Sequence, residues 1–235
     1  MKRTDLNIAN SIFEGFNDQH GLMICGYEWG ESKADQVREG TGEETKISFD
    51  TECTFSNKVP RYGDAALTWP YDKRLKKWFE LWGFPLNSNG LGDDFDKSLI
   101  QTNWSDTQNQ VMTHYHELSS NPERFNNFIR HIEALRPRVI LFMGSQLIRH
   151  LQRPHILEKF TAIMGNVVTP LHFLQKDLPY RRFKIGFQSF EQCEVICFPH
   201  PSGSTGIADA YIAAFKPEMN EILSQYISQR NFKNP

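Results

Sequence analysis

Cys193-Glu194-Val195-Ile196-Cys197-Phe198-Pro199-His200-Pro201-Ser202-Gly203-Ser204-Thr205-Gly206 is the stretch whose reading decides the fold. Its first five residues are apolar and β-branched around one glutamate, the pattern of a buried strand, and from Ile207 to Lys216 the spacing turns helical. Between the two, Pro199 and Pro201 fix the backbone around His200. Gly203, Ser204, Thr205 and Gly206 then bring amides and hydroxyls to the start of a helix, a place that suits an anion. The same residues also fit an ordinary connection with a solvent-facing histidine, because Ser and Thr commonly cap helices.

Other strand-to-helix steps lie upstream. Leu22-Met23-Ile24-Cys25, bounded by Gly21 and Gly26, has the unbroken apolar character of a parallel strand buried on both faces. It breaks into Gly26-Tyr27-Glu28-Trp29-Gly30, a corner with a carboxylate between two aromatic rings. Arg138-Val139-Ile140-Leu141-Phe142-Met143-Gly144 is the clearest buried strand, and a helix follows from Ser145 through Leu147, Ile148 and Leu151. Ser98 to Trp104 is a further short strand ending in an asparagine and a tryptophan, and Tyr180 to Phe190 adds an edge strand or hairpin. Helical stripes are expected at Ile8, Ile12, Phe13 and Phe16, over Tyr71 to Trp82, over Arg124 to Leu135 and over Pro217 to Tyr226. Strands alternating with helices predict a three-layer α/β/α fold around a central, mostly parallel sheet. One domain over residues 1–235 is expected, with a polar, flexible insertion at 32–48.

Composition narrows the chemistry. A formal net charge of -2 gives no global attraction to nucleic acid, so DNA binding has to come from a local patch. The four bases Lys73, Arg74, Lys76 and Lys77 are expected on a solvated helix face. Four cysteines without a C-x-x-C pair fit a reducing cytosol, and no apolar run reaches the ~20 residues of a membrane span. A monomer in the cytoplasm is the expectation, without metal or other cofactor. His114 and His116 lack an evident third ligand, and Cys193 and Cys197 on one strand lie ~13 Å apart.

Three strand ends present Glu28, Asn103 and His200, with Phe55 in the connection Cys53-Thr54-Phe55-Ser56. Each has a plain structural alternative: Glu28 as a surface acid, Asn103 as a turn residue, Phe55 as core. In this order the set resembles the uracil-DNA glycosylase superfamily. Gly26-Tyr27-Glu28-Trp29-Gly30 looks like the first motif of that family, and His200-Pro201-Ser202 matches its His-Pro-Ser motif residue for residue. Cys53-Thr54-Phe55-Ser56 and Ile100-Gln101-Thr102-Asn103 are similar to its base-stacking phenylalanine and its base-reading asparagine. Trp29 stands where the family has proline, Glu28 is one methylene longer than the usual aspartate, and Gly203-Ser204-Thr205 replaces the common bulky wedge.

The resemblance implies hydrolysis of the N-glycosidic bond of uracil or a related deaminated base in DNA. Glu28 and His200 are the implied catalytic pair, with Phe55, Asn103, Gly26 and Tyr27 around the base and Ser202, Gly203 and Ser204 on a phosphate. The competing expectation is a module that keeps this fold and binds bases, nucleotides or a protein without turnover.

Overall fold

The computed structural model describes residues 6–30, 50–109, 114–179 and 183–232, so the stretch 32–48 lies outside the described residues. A six-stranded sheet runs β3-β1-β5-β8-β7-β6, with β1 Leu22–Gly26, β3 Leu99–Asn103, β5 Val139–Met143, β6 Val167–Leu174, β7 Ile185–Phe190 and β8 Cys193–Phe198, and β2 Trp29–Gly30 pairs separately with β4 Gln108–Asn109. β3, β1, β5 and β8 are mutually parallel, and β7 and β6 add antiparallel. All four parallel strands therefore end on one edge of the sheet, where ligands of open α/β sheets bind.

The unbroken apolar strands are divided between two cores by the pleat. Leu22, Ile24, Leu99, Leu141, Ile196 and Phe198 point to one face, where α2 Pro70–Trp82 supplies Leu75, Trp78, Phe79 and Trp82 and α9 Lys216–Gln229 supplies Met219, Leu223 and Ile227. Met23, Cys25, Ile100, Ile140, Phe142, Val195 and Cys197 point to the other, under α5 Pro122–Leu135 and α7 Pro154–Met164. Helices on both faces complete the α/β/α architecture, and the intervening helices α1 Val59–Tyr62, α3 Asp94–Ser98, α4 Glu117–Ser120, α6 Leu147–Leu151 and α8 Asp209–Ala213 are a turn or so long. Among the described residues no helix is long and apolar enough to cross a membrane.

Several expectations change on contact with the structure. Ile8 to Phe16 forms no helix: Ile8 bridges to Thr102, while Asn10 and Asn17 both donate to the Leu99 carbonyl at 2.9 Å. Short amide side chains satisfy backbone groups there and compete with helical pairing. The strand read within 180–190 forms as β7 and makes the hairpin with β8 that was one of its two readings, but it is not the edge of the sheet. That place belongs to β6, whose mostly exposed residues carry no buried-strand pattern. The helical stretch expected from Ile207 to Lys216 forms from Asp209 to Ala213 and breaks at Ala214 and Phe215 before α9.

Only part of the basic stretch on α2 is solvated. Lys73 and Lys77 are exposed. Arg74 donates to the carbonyls of Pro201 and Ile207, and Lys76 lines a cavity beside Ser88. The turn after β8 packs on this helix, so a face that is polar in sequence is half-buried in the fold.

Candidate functional site

β1 and β3 pair with Gly26 opposite Asn103. A Cβ on Gly26 would stand 2.3 Å from Asn103 Oδ1, so glycine is what allows the asparagine to lay its amide across the end of β1. The main chain beyond Asn103 is fixed from several sides. Trp104 N–H donates to the Gly26 carbonyl at 2.9 Å, and Asn127 Nδ2 donates to the carbonyls of Asn103 and Trp104 at 3.2 Å. The Trp104 ring stacks on Phe128 with centroids 4.2 Å apart.

Two strands away, β8 ends in Phe198, wedged against Trp78 and Trp82. The rigid turn that follows sets His200. Gly203 N–H donates to its Nδ1 at 2.9 Å. A backbone amide can only donate, so Nδ1 accepts, and the neutral ring carries its proton on Nε2. Burial pushes the His200 pKa down to about 4, which keeps the ring neutral near pH 7. The result is an Nε2–H donor with no positive charge of its own.

That hydrogen bond also revises the reading of the turn. The Gly203 amide is used on the His200 ring and the Ser204 amide on the His200 carbonyl at 3.1 Å. The following helix begins only at Asp209, behind Ala208, which makes no side-chain cap. Two of the four amides expected at an anion site around Gly203 to Gly206, those of Gly203 and Ser204, therefore turn back onto His200. The Ser202 hydroxyl also lies 3.4 Å from His200 Nδ1.

Tyr27 ties the two halves together. Its ring lies parallel to His200 with centroids 6.3 Å apart, and its edge meets Tyr115. It lies over Gly144, the residue after β5, where a Cβ would stand 2.3 Å from the ring, and its hydroxyl accepts from Gln146 N–H at 3.0 Å. Glu28 sits on the β3 side. Thr107 Oγ1 donates to Glu28 Oε2 at 2.8 Å and lies 2.9 Å from Ser105 Oγ. The short parallel pair Trp29–Gly30 and Gln108–Asn109 brings the 105–107 segment beside the acid.

Phe55 belongs to a neighbouring space. It is fully buried and lines a cavity of about 340 Å³ with Ser56, Lys58, Asp72, Lys76 and Ser88. The Lys58 ammonium stands 5.0 Å from the Phe55 centroid, 2.6 Å from Asp72 Oδ2, and hydrogen-bonds Gln101 Oε1. Gln101 precedes Asn103 by two residues on the same face of β3, so this buried ionic cluster adjoins the asparagine. Thus Gly26, Tyr27, Asn103 and His200 share one edge of the sheet, Glu28 is held at its β3 flank, and Phe55 faces the adjoining cavity.

Sequence reading missed Lys58, Asp72, Tyr71 and Asn127. Lys58 and Asp72 are 14 residues apart and meet only because the loop folds back on α2. Tyr71 was visible as the first residue of a helical stripe, but nothing in its spacing tells that its ring stands 5.3 Å from His200. His114 and His116 rings lie 6.2 Å apart, and among the described residues no group of three His, Cys, Asp or Glu side chains is placed to hold a metal. No protein-family model matches this chain, and no curated protein matches it.

Proposed function

We propose that the protein hydrolyses the N-glycosidic bond of uracil or a related deaminated base in DNA. The observation that carries this reading is the pairing, on one sheet edge, of the Asn103 amide folded across Gly26 with a neutral His200 that holds its proton on Nε2. As the bond between sugar and base dissociates, negative charge moves onto the base and positive charge onto the sugar. His200 Nε2–H donates to a base oxygen where that charge grows, and Asn103 offers a donor and an acceptor to the base edge. Glu28 supplies a carboxylate that stabilises the sugar cation or orients water, the base itself having been turned out of the strand.

The test is incubation with single- and double-stranded oligonucleotides containing uracil, hypoxanthine or xanthine, followed by alkali to break the strand at abasic sites. Cleavage is expected with at least one of them. It should fall by about 10²–10³ in His200→Ala, the usual cost of losing one donor to a developing oxyanion. Gly26→Ala should be similarly impaired, because its Cβ displaces Asn103. Absence of alkali-labile sites with every base would end the proposal.

The second reading is a base-binding module without turnover. The bond from Thr107 to Glu28 favours it, since it occupies a carboxylate oxygen that would otherwise hold the attacking water. In that case uracil-containing DNA binds without being cut, and Glu28→Gln leaves binding unchanged.

A further inference from the structure

Tyr71 is the second residue of α2, directly after the N-terminal Pro70. Its ring stands 5.3 Å from His200, tilted by 51°. At its other end the hydroxyl comes within 3.7 Å of the point where a Cβ on Gly26 would lie, the same point that Asn103 Oδ1 approaches at 2.3 Å. One side chain thus spans from the β1–β3 ends to the histidine turn. The hydroxyl is buried and has no hydrogen-bond partner among the described residues, and burial raises its pKa well above that of a free phenol.

A buried, unpaired hydroxyl is costly, whereas a phenylalanine in the same place would not be. Packing alone does not account for a tyrosine here. A ligand that offers the hydroxyl a partner does, provided that it sits between Asn103 and His200.

On the reading that this edge receives a base, we propose that Tyr71 is a base-binding, specificity-determining residue, its hydroxyl hydrogen-bonding a ring carbonyl of an oxo-base as a third polar contact beside Asn103 and His200. The site then prefers bases rich in carbonyl acceptors, the deaminated ones, over amino-bearing parents. In the donating role proposed, the hydroxyl pairs with a carbonyl oxygen and not with an amino group at that position.

Tyr71→Phe separates this role from a structural one, because the two effects have opposite signs. Removing an orphan hydroxyl should leave the free protein as stable as the wild type or more so by urea denaturation. Affinity for an oligonucleotide carrying non-cleavable 2′-fluoro-2′-deoxyuridine, measured by fluorescence anisotropy, should fall about tenfold, the fold-change equal to ~1.4 kcal/mol. Affinity for the same strand with cytosine should be little changed. Equal affinity of Tyr71→Phe and wild type for the fluorouridine strand would overturn the assignment while leaving base excision standing. Failure of the wild type to distinguish the fluorouridine from the cytosine strand, together with failure to excise any base, would overturn both.

Discussion

Replacing Gly144 by alanine tests how the two halves of the site are joined. Gly144 does not have a positive φ, so an alanine suits its backbone, and the substitution acts through space alone. The added Cβ would stand 2.3 and 2.4 Å from ring carbons of Tyr27 and 2.8 Å from its hydroxyl. The ring has little room to yield: Tyr27 is 7% exposed, meets Tyr115 edge-on, and faces His200. Overpacking of this kind costs about 1–3 kcal/mol. Loss of the bond from Gln146 N–H to the Tyr27 hydroxyl adds about 1 kcal/mol. A total near 2–4 kcal/mol should appear as a lower urea midpoint with an unchanged slope. The decisive assay is a double-mutant cycle. In a Tyr27→Ala background the alanine at 144 meets no ring, so its cost should drop below about 0.5 kcal/mol, the range of neutral substitutions. If the penalties of Gly144→Ala and Tyr27→Ala simply add, the claim that Gly144 exists to admit the Tyr27 ring is wrong.

Two further outcomes follow from buried charge and buried imidazole. Asp72→Ala leaves the Lys58 ammonium buried with, among the described residues, only Gln101 as a polar partner and should cost about 3–5 kcal/mol in urea, whereas Lys58→Met combined with Asp72→Leu should recover most of it; equal destabilisation by single and double variants would refute the pairing. His200 and His150 are both pushed down to about 4 by burial, from 6.5 in an unfolded chain. Between these values only the unfolded chain takes up the protons, so the stability these histidines contribute is complete above pH 6.5 and declines as pH falls toward 4. Their ring-proton NMR shifts in the folded protein should stay flat from pH 8 to pH 5, and a midpoint near 6.5 for either would contradict the burial argument.

Strand ends were legible in the sequence where a continuous apolar run met a glycine or proline. Leu22–Gly26, Leu99–Asn103 and Val139–Met143 all formed within a residue or so of their reading. Val167–Leu174 was not legible, because an edge strand with mostly exposed residues carries no burial pattern for the chain to display. The stripe at Ile8 to Phe16 misled for a different reason: its apolar spacing is helical, but Asn10, Ser11 and Asn17 bind backbone groups of distant segments.

At the site itself, local chemistry in the sequence determined which side chains stand at strand ends: the glycine at 26, the asparagine at 103, and a histidine locked between prolines at 200. Backbone sterics and hydrophobic period act over a few residues, and so they are written in neighbouring letters. The tertiary structure alone decided what those side chains became. Register placed Asn103 across Gly26, the tyrosine just after β1 reached over Gly144, and the turn directed its Gly203 and Ser204 amides onto His200. Tyr71 and the Lys58–Asp72 pair entered because α2 packs against that edge. Contacts of this kind join residues from separate elements, and their energy depends on distances that the spacing of residues along the chain does not contain.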